Sequence, residues 1–90
     1  MSKVFGEKMG KLKLYNLQSC GYCRMVRDKL EELGLEYERI EVPSYPRSRK
    51  EVFDVSGQFY VPVLVDDDLV LDDEEKILVY LDKTYSSKKE

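Results

Sequence analysis

Cys20-Gly21-Tyr22-Cys23 holds both thiols of a 90-residue chain that has no histidine. Sulfur at this spacing is suited to one kind of chemistry. A thiolate attacks a disulfide, and a second thiol one helical turn away displaces the product from the mixed disulfide that forms. The setting favours it. The pair follows the alternating segment Lys11-Leu12-Lys13-Leu14-Tyr15-Asn16 and precedes an amphipathic helical pattern, which puts Cys20 at the end of a strand and the mouth of a helix. Unpaired N–H groups and the helix dipole at such a mouth favour an anionic sulfur.

Other uses of two cysteines fit less well. A self-contained structural zinc site takes about four Cys/His ligands, and two cysteines without histidine cannot supply them. A metal or cluster shared between two chains stays open. A structural disulfide stabilises mainly by closing a long loop, and two intervening residues close almost none. Inert packing suits Cys23, which lies in register with an apolar helix face, but not Cys20, which precedes the helix beside Gly21.

The elements that must hold the pair are legible around it. Lys11–Leu17 reads as a strand with one buried face, and Cys23, Val26, Leu30 and Leu33 form a helical stripe that stops at Gly34. Leu35–Val42 alternates as a second strand ending at Pro43. Ser48-Arg49-Lys50-Glu51 has the form of a capping box opening a second helix, with Val52, Phe53 and Val55 inward and Gly57 as its stop. On that reading Arg47, Arg49 and Lys50 are the helix's solvated face; the alternative is that they bind a carboxylate across the cleft. Val61–Val65 is a buried strand entered through a proline, Asp66-Asp67-Asp68 a turn, and Leu69-Val70-Leu71 its hairpin partner. The acidic run Asp72–Glu75 suits the positive end of a last helix whose inner face is Ile77, Leu78, Leu81 and Tyr85. The order is β-α-β-α-β-β-α. A helix between the first two strands makes them parallel, and the hairpin is antiparallel. The expected fold is α/β: a mixed four-stranded sheet with helices on both faces, formed by residues 11–85, with 1–10 as an extension and 86–90 as a frayed end.

Composition narrows the class. Ninety residues make one small domain, with no apolar run long enough to span a bilayer. Met1–Gly10 carries Lys3, Glu7 and Lys8 and lacks the apolar stretch of a secretory signal. One close cysteine pair suits the reducing cytoplasm. A formal charge of −3, without a basic cluster among aromatics, argues against nucleic-acid binding.

With these elements in this order, the chain resembles the thioredoxin fold in its minimal form, and more closely a glutaredoxin. Three places carry the resemblance. Cys20-Gly21-Tyr22-Cys23 is similar to the family's Cys-Pro-Tyr-Cys, with glycine for proline. Gly57-Gln58-Phe59-Tyr60-Val61-Pro62 is similar to Gly-Gln-x-Thr-Val-Pro. Asp72-Asp73-Glu74 before Ile77-Leu78 stands where glutaredoxins carry an acidic pair and glutathione-transferase N-terminal domains carry Glu-Ser. The resemblance implies Cys20 as the attacking thiol and Cys23 as the resolving one, with Tyr22 on the rim of the cleft. It also implies a cis bond at Val61-Pro62 whose backbone pairs with a bound disulfide; a trans proline opening a strand is the alternative. Gln58, Tyr60, Val61, Pro62, Asp73 and Glu74, with Tyr22, are the implied substrate or glutathione contacts.

The chain departs from the pattern where glutathione would be held. Leu17-Gln18-Ser19 lacks the basic residue expected before the first cysteine, and Tyr60 replaces threonine. The carboxylates of Asp72–Glu75 crowd the place where a γ-glutamyl carboxylate would dock, unless they serve only to stabilise the helix start. Arg24, one turn after Cys20, either supports its thiolate or lies solvated on the helix face.

The expected function is therefore a monomeric thiol–disulfide oxidoreductase acting on protein or low-molecular-weight disulfides, with no tightly bound cofactor or metal. Glutathione, another small thiol or a thioredoxin-reductase-like protein would reset it. The competing readings are an iron–sulfur carrier with a cluster bridging two chains through Cys20, a glutathione-independent thioredoxin-like reductase, and a docking module without catalysis. A complete glutathione transferase is not expected, because the chain ends where that family's helical second domain would begin.

Overall fold

The computed structural model describes residues 12–85; the proposed extension at 1–10 and the frayed end at 86–90 lie outside them. The elements are β1 (Leu12–Asn16), α1 (Gly21–Glu32), β2 (Glu38–Glu41), a 3-10 turn (Pro46–Ser48), α2 (Lys50–Ser56), β3 (Val63–Asp66), β4 (Leu69–Leu71) and α3 (Glu74–Tyr85). The sheet order is β2-β1-β3-β4. β1 pairs parallel with β2, Leu14 opposite Arg39, and antiparallel with β3, Leu14 opposite Leu64. β3 and β4 form the antiparallel hairpin. The expected order and mixed sheet are therefore present.

Alternation along the central strands divides the core in two. Leu12, Leu14 and Leu64 face α1 and α3, where they meet Val26, Leu30, Ile77 and Leu81. Tyr15 and Val63 face the other way, onto Val52 of α2 and Val42. β1 is thus buried on both faces, not on one as its alternating lysines suggested: Lys13 is only half-exposed. Fully burying a leucine or valine is worth about 1.5–3 kcal/mol, so these fully buried side chains fix the register of the strands that carry the site.

Several boundaries differ from expectation. The second strand is confined to Glu38–Glu41, with Leu35 and Tyr37 packed on the core from the preceding turn. The capping box at Ser48–Glu51 does not form. A 3-10 turn occupies Pro46–Ser48, and α2 starts at Lys50 without a side-chain cap. The reason is Arg49, which turns inward to only 4% exposure instead of lying on a solvated face. Only Val52 of the expected apolar trio is buried; Phe53 and Val55 are exposed, Phe53 stacking on Phe59 at 4.8 Å. Gly34 and Gly57 do take the left-handed conformation that stops a helix, with φ of 70° and 81°.

Candidate active site

Cys20 is the residue at which strand gives way to helix. It precedes α1 in an extended conformation, its N–H bonded to Leu17 O at 3.0 Å. Its sulfur accepts the Cys23 N–H at 3.4 Å, taking the N-cap role usually filled by a hydroxyl or carboxylate. The same sulfur lies 3.9 Å from the carbonyl oxygen of Val61, within reach of a weak thiol hydrogen bond. The Val61-Pro62 bond is cis, as the resemblance implied. β1 and β3 bring these groups together. They are adjacent antiparallel strands, and Tyr15↔Val63 is the register pair at the end from which Cys20 and Val61 extend.

The two sulfurs differ sharply. Cys20 is partly exposed and Cys23 fully buried. Burial pushes the Cys23 thiol up to about 12, reinforced by its hydrogen bond to Cys20 and opposed by Leu17's backbone and by the Arg27 charge. Cys23 is therefore a protonated reserve beneath an accessible partner. Gly21 between them is unconstrained by space: a Cβ there would meet nothing within 4 Å.

Polar networks that the sequence reading missed hold the surroundings. Arg27, one turn beyond Cys23, donates to Asn16 Oδ1 at 2.6 Å. Asn16, fully buried at the end of β1, donates to both Glu41 carboxylate oxygens at 3.0 and 3.1 Å. Arg39 joins Glu41 at 2.7 Å to Gln18 at 2.8 Å, the latter two residues before Cys20. That contact, chiefly its hydrogen bond, raises Arg39 and lowers Glu41. One carboxylate thus ties down both flanks of the dithiol. A lone asparagine closing a strand of leucine, lysine and tyrosine was the available signal. At the opposite end of β3, the Asp66 carboxylate is buried and accepts the hydroxyls of Tyr80 and Tyr85, each at 2.6 Å. Asp66 is a strand residue and not simply part of the turn.

The remaining expected contacts divide. Tyr22 and Tyr60 are exposed beside Cys20 and Val61 in the chain, 58% and 69% accessible. Gln58 is committed to its own loop, its amide donating to Tyr60 O at 2.9 Å and to Ser56 Oγ at 3.0 Å while its oxygen accepts the Tyr60 N–H. Asp73 accepts the Lys76 N–H at 3.2 Å, and Glu74 opens α3, so this part of the acidic run stabilises the helix start. Arg24 lies on the solvated face, 4.0 Å from Asp28. Among the described residues no group of three or more His, Cys, Asp or Glu is arranged to hold a metal, and no helix is long and apolar enough to cross a membrane.

The family model for the glutathione S-transferase N-terminal domain matches residues 14–89. The chain belongs to this family. Glutathione S-transferase Z2 of Arabidopsis thaliana is 36% identical over 87 residues, covering 94% of this chain and 39% of that protein. Glutathione Transferase E6 of Drosophila melanogaster superposes with a TM-score of 0.77 at 34% identity, covering 83% of this chain and 35% of that one. A glutathione transferase homolog from Drosophila mojavensis, solved with bound glutathione, gives 0.77 at 28% identity over 83% of this chain and 35% of that one. This glutathione S-transferase N-terminal domain spans well under half the length of these relatives. Of the two resemblances read from the sequence, the family match is to the transferase domain; the dithiol is a matter of function.

Proposed function

We propose that the domain is a thiol–disulfide oxidoreductase whose electrons come from its Cys20/Cys23 dithiol, with glutathione as the thiol that restores it. The observation that carries this reading is the placement of the Cys20 sulfur, capping α1 through the Cys23 N–H at 3.4 Å and facing the Val61 carbonyl at 3.9 Å. The first turn of α1 aims a backbone N–H at the attacking sulfur, and the backbone beside the cis-proline lies where a second sulfur's chain would align.

The steps balance within the dithiol. Cys20 as thiolate attacks one sulfur of R–S–S–R′, forming Cys20–S–S–R and releasing R′S⁻, which takes up a proton. Cys23 gives up its proton and attacks the Cys20 sulfur, closing the Cys20–Cys23 disulfide and releasing RSH. Two electrons pass to the substrate, and two thiols return them by the reverse exchange. High protonation of Cys23 suits this order, since it cannot compete with Cys20 for the first attack.

Family membership and a glutathione-bound relative support glutathione as the donor. A dithiol protein donor is the second reading, favoured by the engagement of Gln58 within its own loop and by the carboxylates at the start of α3. The test is reduction of hydroxyethyl disulfide and insulin, with glutathione or thioredoxin reductase as electron source. Activity lost in Cys20→Ser and kept on glutathione mixed disulfides in Cys23→Ser is the expected result. An inert wild type, or activity untouched by Cys20→Ser, would refute the reading. A coloured dimer after anaerobic iron and sulfide reconstitution would favour the cluster carrier instead.

A further inference from the structure

The segment from Gly57 to Pro62 carries the carbonyl that faces Cys20, yet it belongs to no helix or strand. Side chains hold its backbone. Ser56 Oγ accepts the Gln58 N–H at 3.4 Å. The Gln58 amide spans Tyr60, donating to its carbonyl and accepting its N–H. Arg49 Nη1 donates to Phe59 O at 3.1 Å. With residues 58 to 60 gripped in this way, the next carbonyl, that of Val61, is the one presented to the sulfur.

Arg49 does more than touch this loop. Its Nε donates to Pro43 O at 2.7 Å and its Nη2 to Ser44 O at 2.9 Å, so a single buried guanidinium joins the turn after β2 to the approach to Pro62. All three partners are backbone carbonyls. Burying a charge costs several kcal/mol even after relaxation, and the hydrogen bonds to these three carbonyls offset part of that. Stability accounts for part of its presence, since an apolar replacement would leave those carbonyls without their donor. What the guanidinium supplies is a rigid planar fork that sets three carbonyls from two loops in one fixed relation.

We propose that Arg49 is a positioning residue for thiol–disulfide exchange: by fixing Phe59 against the Pro43-Ser44 turn it sets the Val61 backbone opposite Cys20, so that disulfides embedded in peptide backbone are preferred over compact ones. The inference rests on the oxidoreductase reading and adds a substrate class to it. A peptide or glutathione mixed disulfide offers amides to pair with Val61; hydroxyethyl disulfide offers none.

The experiment compares kcat/KM, read as the second-order rate at which each disulfide oxidises the pre-reduced protein with no glutathione added, for a cysteinyl-peptide–glutathione mixed disulfide and for hydroxyethyl disulfide in the wild type, Arg49→Lys and Arg49→Met. Arg49→Lys keeps the charge but loses the fork. Displacement of a reacting group by about 1 Å costs up to about a hundredfold, so the peptide substrate should lose about tenfold or more in both variants. Hydroxyethyl disulfide reduction and the alkylation rate of Cys20 by iodoacetamide should change by less than about threefold, a split that general unfolding would not give. Equal losses on both substrates, or no loss, overturn the proposal. Should the variants fail to fold, the wild type still decides: it must prefer the peptide disulfide by about tenfold, and equal kcat/KM values overturn the proposal. A wild type inert toward both disulfides would instead strike down the oxidoreductase reading.

Discussion

Alkylation of Cys23 in a Cys20→Ser variant tests the asymmetry on which the two-step exchange depends. Burial raises Cys23 from an ordinary 9.0 to about 12, and removal of Cys20 takes away only smaller contributions. At pH 8 a thiol with a midpoint of about 12 is ionised to about one part in ten thousand, against about one in ten for a thiol at 9.0. That is a thousandfold deficit in thiolate. A more basic thiolate is also more nucleophilic, and a Brønsted coefficient of about 0.45 over three pH units returns about twentyfold. Cys23 should therefore react with iodoacetamide about fiftyfold more slowly than a free cysteine of midpoint 9.0, before its complete burial slows access further. The same protein in urea should react at the ordinary rate. The rate should climb about tenfold per pH unit from 7 to 9 with no plateau, because the group stays mostly protonated throughout. A plateau below pH 10, or a folded-state rate within about fivefold of the urea rate, would refute the argument.

Alkali should destabilise the fold. Cys23, Tyr80 and Tyr85 are all raised chiefly by burial, the tyrosines further by Asp66. The unfolded chain releases these protons near 9.0 and 10.0 while the folded one retains them, so their contribution is complete below pH 9 and is lost above it. Urea midpoints should fall from pH 8.5 to 10.5; a constant midpoint would contradict this. Asn16→Ala removes a fully buried side chain together with its bonds to Arg27 and Glu41 and should cost about 1–3 kcal/mol by urea denaturation. Leu30→Ala, at a fully buried position of α1, should cost about 2–5 kcal/mol by the same measurement. Gly21→Pro should stabilise by about 0.4–1 kcal/mol. Cys20 already has the extended backbone, φ −83° and ψ 121°, that a following proline requires, and the space at Gly21 is open. A lowered melting temperature would show that glycine is needed there.

The features legible in the sequence were those with a local cause. Cys20 at a helix mouth, the glycine stops at Gly34 and Gly57, and the Ile77/Leu81 stripe follow from short-range periodicity and backbone freedom, and each lies where spacing put it. The cis bond at Val61-Pro62 came from likeness to a family motif. What escaped were side chains whose partners are distant in sequence. Asn16 meets Glu41 across 25 positions, and Arg49 reaches Phe59 across 10. Arg49 misled most. A charged residue in Ser-Arg-Lys-Glu has the local form of a helix cap, and only the fold shows three carbonyls waiting for it. The burial of β1 on both sides was likewise masked, because lysine can lay its stem along a covered surface while its ammonium stays wet.

The polar tether of β2 has a consequence for how this small sheet comes apart. β2 turns little greasy surface inward, Ile40 being its one half-covered residue, so its ladder on β1 and the bonds from Asn16 to Glu41 and from Arg39 to Gln18 fasten that margin where oil fastens the rest. Acid strong enough to protonate Glu41, below the ordinary carboxylate range, should loosen it before the centre melts. The apposition of Cys20 and Val61 runs through the other neighbour of β1. Losing that outer strand would nonetheless reach the chemistry, because Glu41 braces both flanks of the dithiol and the turn that follows β2 anchors Arg49.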